Sequence, residues 1–428
     1  VKKVLIISYF YPPANFVGAQ RTAAWATYLH EYGYYPIIIT RQWNEGQTDL
    51  VDKVKNNELE IEKNTTHEVH RLPYKYSLRD RLANYPALKV FQKALTLKEL
   101  VLSNYSIKQL PFSNFYAYSK NLIHKDSEIN IVIASGRPFQ AFFIGHQLKK
   151  DFPRIHWIPD YRDLWNENMN EILSSNNILQ RRLVLNEFNN EKKWSSNASG
   201  FITVTKVLES ILRERLTLTG KTILNGYDKE FQFDIKEEGL DLKTFTLSFI
   251  GSLYEDQEIR ILVESLQKLK EKYKINLVFL GSCKNNRERD LLSTKLKDIE
   301  GNYEILPRVD RNLVKEYIVK SDVLLLFKFT KHQGALPVKT FDYYKTNKPI
   351  LLCPSDNDLM ENFIKETNSG YIANTVAECT AILEQLIQLK KEGKPLIGPR
   401  NEENAHFYSR KYQTEVLADA LDQLSQVK

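Results

Sequence analysis

The sequence predicts an α/β protein in which two Rossmann-like, doubly wound domains face a cleft. Short apolar runs rich in β-branched residues recur along the chain, as expected for strands of a parallel sheet that is covered on both faces. Each run is followed by a helical pattern, and this alternation is typical of doubly wound folds. A polar, turn-rich stretch, 223–244, interrupts the series once, and we expect the domain boundary there.

The first domain, 1–225, opens with a strand, a helix and a second strand. The first strand is the run 3–8, the helical pattern after it ends at Gly33, and the second strand is 35–41. The same alternation continues to the boundary. Further strands are expected over 129–136, 155–163 and 200–205, and further helices over 137–152, 179–198 and 206–216.

The second domain, 226–404, repeats this theme, and two of its strands end in a glycine turn. Strands are expected over 245–253, 275–283, 303–307, 322–329 and 349–354, with helices over 258–273, 287–299 and 313–321 between them. For the final helix, 405–428, the pattern leaves open whether it packs back onto the first domain. Ligands of open α/β sheets bind at the carboxyl ends of the strands, so candidate site residues are sought there.

Composition is that of an ordinary soluble globular protein. Of the 428 residues, 42% are hydrophobic and 26% are charged. No apolar run reaches the roughly 18 residues that a membrane-spanning helix needs. Three cysteines, Cys283, Cys353 and Cys379, are too few for a disulfide framework and indicate buried thiols in a reducing compartment. We expect a cytoplasmic protein, with peripheral association with the inner face of the cell membrane left open.

Positive charge is concentrated in one segment, 71–110. It holds eight Lys or Arg against two acidic residues, Asp80 and Glu99, and it accounts for most of the net charge of +7. Such a segment favours an anionic partner: a membrane surface, a phosphorylated substrate or nucleic acid. No nucleic-acid-binding motif accompanies it, so nucleic acid is not expected. Within it, 87–103 is an amphipathic helix, which most often docks on its own domain; the alternative is contact with anionic lipid headgroups.

Two stretches of the first domain carry candidate site residues. In the loop after the first strand, Gly18 stands where a helix begins, so that backbone N–H groups could approach an anion; the alternative is a turn glycine with no ligand. After the strand 155–163, the polar residues Asp160, Arg162 and Asp163 follow a buried run. Charged groups at a strand's carboxyl end favour a site, and the alternative for Asp163 is a helix cap.

The richest motif of the second domain is the stretch 331–351, "KHQGALPVKTFDYYKTNKPIL". Gly334 marks a turn before a helix, and Lys339 falls in the first turns of that helix, where its ammonium could neutralise a diphosphate oxygen. Asp342 lies three residues further on, on the same face, and could accept hydrogen bonds from ribose hydroxyls. The alternative is an exposed ion pair between Lys339 and Asp342, which would contribute little.

Metal and other catalytic motifs are missing from the sequence. The eight histidines show neither the HxH nor the HExxH spacing of metal sites, and neither a Walker nor a GxSxG motif occurs. The acidic cluster at 355–358 fits turn chemistry. We expect no metal and no cofactor.

Four stretches together resemble the GT-B glycosyltransferases, in particular a retaining, family 4-like group that includes bacterial surface-glycan enzymes. They are "KVLIISYFYPPANFVGAQR", "FITVTKVLESIL" with "KTILNGYD", "FIGSLYEDQEIRILVESL" and "LPVKTFDYYKTNKPIL". The last is similar to the signature K-x-F-E-Y followed by G-K-P-I, with Asp342 where glutamate is usual. The resemblance covers nearly the whole chain.

This resemblance implies a nucleotide-sugar donor that is bound mainly by the second domain. Lys339 would meet the diphosphate, Asp342 the ribose, and Gly18 would close over the donor from the first domain. Asp163 would face the sugar and the acceptor. The remaining donor-binding residues that it implies are Gly251, Ser252, Arg308, Val309, Gly334, Ala335 and Leu336, and Arg21 and Arg162 are assigned to the acceptor side.

The chain departs from the pattern of this group at two places. The group usually carries two glutamates eight residues apart, and counting back from Asp342 leads to Gly334. The arginine and lysine expected after the glycine turn at Gly251 are also missing. The donor phosphates must then rely on Lys339, on backbone amides or on a residue that the sequence does not identify.

The function that the resemblance implies is transfer of a sugar from a nucleoside diphosphate to a lipid-linked or polysaccharide acceptor. The enzyme would be a hexosyltransferase that retains the anomeric configuration and acts in surface-glycan biosynthesis, with no metal. Two alternatives stay open: a nucleotide-sugar epimerase of the same fold, and a catalytically inert GT-B protein that binds a glycan or serves as a scaffold. The missing glutamate at position 334 favours the inert alternative.

Overall fold

The structure is a computed structural model, and it forms two compact units. The first comprises Val1–Asn225 and Arg410–Lys428, and the second comprises Gly226–Ser409. The structure describes residues 1–14, 16–44, 58–74, 77–82, 85–103, 106–109, 112–165, 177–228, 243–283, 285–309, 311–330 and 334–426.

The first unit is built on an eight-stranded sheet. Its strand order is β3-β4-β2-β1-β5-β6-β7-β8, and only the edge strand β3 runs antiparallel to its neighbour. The strands are β1 (Lys2–Ser8), β2 (Tyr34–Arg41), β3 (Glu60–Lys63), β4 (Glu68–Leu72), β5 (Ile129–Gly136), β6 (His156–Tyr161), β7 (Phe201–Thr203) and β8 (Gly220–Thr222).

The second unit is built on a six-stranded parallel sheet. Its strand order is β11-β10-β9-β12-β13-β14. The strands are β9 (Phe245–Ile250), β10 (Ile275–Leu280), β11 (Tyr303–Leu306), β12 (Val323–Leu326), β13 (Ile350–Leu352) and β14 (Gly370–Ile372).

Helices connect these strands and cover both sheets. In chain order they are α1 (Val17–Tyr28), α2 (Leu78–Leu82), α3 (Lys89–Ser103), α4 (Ser113–Lys125), α5 (Ala141–Asp151), α6 (Ile178–Ser195), α7 (Lys206–Leu216), α8 (Arg260–Leu269), α9 (Asn286–Lys295), α10 (Arg311–Lys320), α11 (Val338–Tyr344), α12 (Leu359–Thr367), α13 (Val376–Lys391), α14 (Glu402–His406) and α15 (Arg410–Leu424). Short 3-10 helices cover Leu29–Tyr32, Pro86–Leu88, Ile107–Gln109 and Lys297–Ile299.

The central strands read as continuous apolar runs because both faces of each sheet are buried. In β1, Leu5 and Ile7 belong to one core cluster, whereas Val4 and Ile6 belong to the cluster on the other face. In the second unit, β12 divides its side chains between two clusters in the same way. The period of two along a strand therefore fills two cores at once.

Several helices differ from their predicted limits, and two of these differences bear on the candidate site and on the core. The helix predicted over 137–152 begins at Ala141, which leaves Arg137 in the turn that follows β5. The final helix predicted over 405–428 is divided into α14 and α15. Leu417 and Leu421 of α15 join the same core cluster as Trp25 of α1, so α15 completes the core of the first unit.

Candidate functional site

Three neighbouring strands of the second sheet end in turns that lie side by side. Gly251 follows β9 and Gly281 follows β10, with φ angles of 93° and 69° that favour glycine over residues with a side chain. The N–H of Gly251 donates to the carbonyl of Leu280 at 2.8 Å, which joins the two strand ends. A Cβ at Gly281 would lie 3.4 Å from the Cα of Arg308, which follows β11. The turns thus bring Gly251, Ser252, Arg308 and Val309 to the carboxyl edge of the sheet.

Lys339 reaches this edge from α11, the helix that follows β12. Its Nζ donates to the carbonyl of Ser252 at 3.3 Å and lies 3.8 Å from the centroid of the Phe249 ring. A Cβ at Gly251 would lie 3.6 Å from the same Nζ. The structure therefore brings together three residues that the sequence analysis assigned to one site, Lys339, Gly251 and Ser252.

The ammonium of Lys339 is partly buried. Burial lowers the pKa of Lys339 to about 7, because the charged form loses solvation. Among the residues that the structure describes, no carboxylate pairs with Lys339, and the exposed pair with Asp342 considered above is not formed. A cation held without an anion at a strand edge is suited to receive an anionic ligand.

Tyr343 fixes α11 against the end of β9. Its hydroxyl accepts a hydrogen bond from the N–H of Ile250 at 2.8 Å and donates to the carbonyl of Ile250 at 3.3 Å. The side chain is buried, and it lies one helical turn after Lys339. This double hydrogen bond sets the distance between the Lys339 ammonium and the glycine turn at Gly251.

The segment before α11 and the helix itself carry the remaining donor-site candidates. Gly334 is buried with a φ of 69°, a conformation that would strain the glutamate usual in the GT-B group. Ala335 and Leu336 are partly buried, and Leu336 packs against the apolar cluster beneath α11. Asp342 is partly buried on α11. These four residues stay predictions for donor binding.

In the first unit, Arg162 joins the ends of β5 and β6 to the start of α1. Its Nε donates to the carbonyl of Gly136 at 2.5 Å, and its Nη2 donates to the carbonyl of Arg137 at 3.1 Å. A Cβ at Gly18 would overlap the guanidinium, so the missing side chain at this position leaves room for Arg162. Burial lowers the pKa of Arg162. Gly18 and Arg162 thus form one packed contact.

Asp163 lies beside Arg137 at the same edge of the first sheet. The two exposed side chains form an ion pair with a distance of 3.6 Å between Arg137 Nε and Asp163 Oδ2. Exposed pairs of this length contribute little to stability, so the carboxylate remains available to a ligand.

Arg21 has a different environment from the other candidates, inside the first unit. It is 5% exposed, and its Nη2 lies 3.1 Å from Oδ1 of the buried Asp160. Its Nη1 also donates to the carbonyl of Ile223 at 2.7 Å, while Ser135 donates to the other oxygen of Asp160 at 2.8 Å. These bonds connect α1 and β6 to the end of β8, and they leave little of Arg21 open to a ligand.

Comparison with known proteins shows a similarity to one protein family over most of the second unit. Residues 230–413 match the family described as Glycosyl transferases group 1, and this segment contains the glycine turns, Arg308 and Lys339. The second unit is therefore similar to the glycosyl transferases group 1 family over this segment. This match agrees with the predicted enzyme class, a hexosyltransferase-type glycosyltransferase. No curated protein matches the chain in sequence.

Several solved structures are similar to this chain over its whole length. The sucrose-phosphate synthase of Thermosynechococcus elongatus is 14% identical with a TM-score of 0.63, and all of both chains is covered. The catalytic domain of starch synthase IV from Arabidopsis thaliana, bound to ADP and acarbose, is 14% identical with a TM-score of 0.58 and 99% of each chain covered. HepE of Anabaena, in complex with UDP and glucose, is 12% identical with a TM-score of 0.57, covering 99% of this chain and all of that one. The predicted GT-B fold is confirmed.

Sequence reasoning missed two residues near the candidate sites. In the second unit, Tyr343 was overlooked because its partner, Ile250, lies 93 residues earlier in the chain. Only its spacing of four residues from Lys339 could have pointed to it. Arg137 was assigned to a helix, although it follows a glycine at the end of a buried strand and precedes a proline, and this context is typical of a loop.

The described residues offer no metal site. Within these ranges, no group of three or more His, Cys, Asp or Glu side chains could hold a metal ion. All three cysteines are free, and two of them, Cys353 and Cys379, are buried.

Proposed function

We propose that the chain transfers a hexose from a nucleoside-diphosphate sugar to an acceptor hydroxyl. The observation that carries this proposal is the Lys339 ammonium, which lies beside the glycine turn in the segment similar to the group 1 family and pairs with no carboxylate of the described residues. A diphosphate is the part of the donor that needs such a cation, because negative charge develops on it as the sugar leaves.

The chemistry assigned to these residues is stabilisation of the leaving group. The bond between the anomeric carbon and the diphosphate oxygen breaks, and the acceptor oxygen forms a new bond to the same carbon. The acceptor proton passes to the leaving diphosphate. Lys339 and the backbone at Gly251 and Ser252 would hold that diphosphate, and Asp342 would accept hydrogen bonds from the ribose.

The other proposed roles are support for the donor and contact with the acceptor. Arg308 and Val309 follow β11 next to Gly281, and we assign them to the nucleobase end of the donor. Asp163 is exposed, and we assign it to the sugar and the acceptor. Gly18 and Arg162 would position the loop around Asp163, and Arg21 acts through its ion pair with Asp160.

The finer proposal is a retaining transferase of surface-glycan assembly with a lipid-linked or polysaccharide acceptor. HepE binds UDP and starch synthase IV binds ADP, so uridine and adenosine diphosphate sugars are the first donors to test. We propose that Lys339 and backbone amides neutralise the diphosphate without a metal. Transfer should then persist in a chelator.

Gly334 supports a second candidate, a protein of this fold that binds a glycan or nucleotide sugar without transferring it. The left-handed backbone at this position leaves no side chain where the GT-B group has its first glutamate. A scaffold of this kind would release no nucleoside diphosphate from any donor. An epimerase would isomerise the donor sugar with no acceptor present.

The test is a panel of UDP-, ADP- and GDP-sugars, incubated with and without glycan and lipid-linked acceptors. Mass spectrometry detects the glycosylated acceptor, and NMR of the anomeric proton reports whether configuration is retained. The Lys339→Ala variant should lose roughly 10²-fold in transfer, the loss typical of removing one electrostatic group from a transition state. Lys268→Ala, an exposed lysine of the same unit, is the matched control. Near-normal transfer by Lys339→Ala would contradict the assignment.

A further inference from the structure

An apolar stripe on α3 is exposed to solvent. Val90, Ala94, Leu97 and Val101 follow the spacing of one helical face, and Phe91 lies at its border. Val90 is 84% exposed, Phe91 52%, and Leu97 and Val101 37% each. The interpretation of this helix as one that docks its apolar half on its own domain is therefore wrong for this stripe.

The helix rests on the protein with another face. Among the residues of α3 whose side chains the structure describes, the partly buried ones are Gln92, Leu95, Glu99 and Leu102, and they lie along the neighbouring strip of the helix surface. The apolar side of α3 is therefore divided between a strip that packs inward and a strip that is left open. A contiguous exposed apolar strip of this kind is typical of an interaction surface.

The acidic residues of the segment are turned inward, and the exposed charges are all positive. The Asp80 side chain is fully buried, with its Oδ1 2.7 Å from Arg79 Nη2, and Glu99 is partly buried 3.4 Å from Arg79 Nε. One arginine therefore neutralises both carboxylates. The exposed charged residues described between positions 77 and 109 are Arg81, Lys89, Lys93, Lys98 and Lys108.

We propose that α3 docks on an anionic lipid bilayer, with the stripe Val90–Ala94–Leu97–Val101 in the acyl boundary and the lysines among the headgroups. Lysine stems can extend along apolar surface while their ammonium groups reach a phosphate. The exposed valine and leucine side chains match the acyl boundary of a bilayer, and the exposed lysines match its anionic headgroup layer. None of the described helices is long and apolar enough to cross a membrane, so α3 lies along the surface. The inference does not rest on sugar transfer, because docking needs neither donor nor acceptor.

The charge arrangement favours lipid over a second copy of the chain as the occupant. A copy would bring its own Lys89, Lys93 and Lys98 against the same lysines if the stripes paired face to face. Like charges brought together in this way are destabilising. An anionic bilayer supplies the opposite charge at every lysine.

Vesicle sedimentation with the full chain tests this proposal. Vesicles of phosphatidylcholine alone are compared with vesicles that also contain phosphatidylglycerol, each at low and high salt. We expect binding to the anionic vesicles, weakened by salt because surface charges are screened, and little binding to phosphatidylcholine.

Three variants separate the apolar from the electrostatic contribution. Val90→Gln/Leu97→Gln/Val101→Gln removes the stripe and should weaken binding to anionic vesicles by roughly tenfold or more. Lys89→Gln/Lys93→Gln/Lys98→Gln should weaken it roughly a hundredfold, since each lysine near an anionic surface is worth roughly fivefold. The matched control is Lys268→Gln/Lys295→Gln/Lys297→Gln, which makes the same charge change at exposed lysines of the second unit and should bind as the wild type.

Each other outcome overturns the proposal. If the wild-type protein binds neither vesicle type, or binds both equally, an anionic lipid partner is excluded. A stripe variant that binds like the wild type excludes α3 as the docking surface. Sedimentation velocity without lipid measures whether the protein forms a dimer. If the wild type binds no vesicles and forms a dimer that only the stripe variant abolishes, the stripe is the contact with a second copy of the chain. Circular dichroism of the variants verifies that α3 and the rest of the fold are retained.

Discussion

At the scale of single residues, the environment of Lys339 decides what the second unit can bind. Its ammonium is partly buried above an aromatic ring and beside a glycine turn, and burial lowers its pKa to about 7. The sequence predicted that this lysine matters because it stands in a recognisable motif. It could not predict the contact with Phe249, 90 residues away in the chain, because that contact depends on how two strands and a helix pack.

The lowered pKa of Lys339 predicts how stability changes with pH. The unfolded chain keeps this lysine protonated up to about 10.5, whereas the folded chain releases the proton near pH 7. Between these values the unfolded state binds more protons, so the free energy of unfolding contributed by Lys339 rises with pH, with a limiting slope of about 1.4 kcal/mol per unit. Below pH 7 both states are protonated and this contribution is constant.

Urea unfolding of the wild type and of Lys339→Met at several pH values between 7 and 10 checks this expectation. Methionine keeps the length of the side chain and removes the titrating group. The difference in unfolding free energy between the two proteins should shift in favour of the wild type as pH rises. A difference that does not change with pH would show that the lysine titrates normally.

At the scale of the element, α11 is held by a hydrogen-bond pair that the sequence does not reveal. The strands themselves could be predicted, because runs such as β1 and β12 must fill cores on both faces of a sheet. The limits of α3 were also predictable from its periodicity. Which strip of α3 faces the protein was not, because that depends on neighbours distant in sequence, such as Arg79.

Tyr343→Phe should loosen α11 from the end of β9. The change removes the hydroxyl and leaves the Ile250 N–H without its acceptor, which costs about 1–2 kcal/mol for a buried group. We expect a lower melting temperature and weaker donor binding, because Lys339 is carried on the same helix. Differential scanning calorimetry and donor titration measure the two effects.

The matched control for this variant is Tyr303→Phe on β11. The hydroxyl of Tyr303 has no hydrogen-bond partner among the residues that the structure describes, so its removal should change neither quantity. Equal behaviour of the two variants would mean that the Tyr343 hydroxyl does not position α11.

At the scale of the whole molecule, the candidate residues of each unit gather where its parallel strands end. Arg162 and Asp163 follow β6 in the first sheet, and Gly251, Gly281 and Arg308 follow three adjacent strands of the second. This placement could be predicted, because parallel strands bring all their carboxyl ends to one edge. Arg21 shows the limit of such prediction. It was assigned to the acceptor side, but its side chain is buried against Asp160.

If Lys339 binds the diphosphate of a nucleotide-sugar donor, removing its ammonium must weaken the binding of nucleoside diphosphates, and isothermal titration calorimetry measures this effect. UDP, ADP and GDP are titrated into the wild type, Lys339→Met and the control Lys268→Met near neutral pH. We expect the wild type and the control to bind at least one of the three with the same Kd. For Lys339→Met we expect a Kd roughly 10- to 100-fold higher, since a hydrogen bond to a charged group contributes about 1.5–3 kcal/mol. Equal affinity of Lys339→Met and the wild type, or no binding of any nucleoside diphosphate to the wild type, would contradict this role of Lys339.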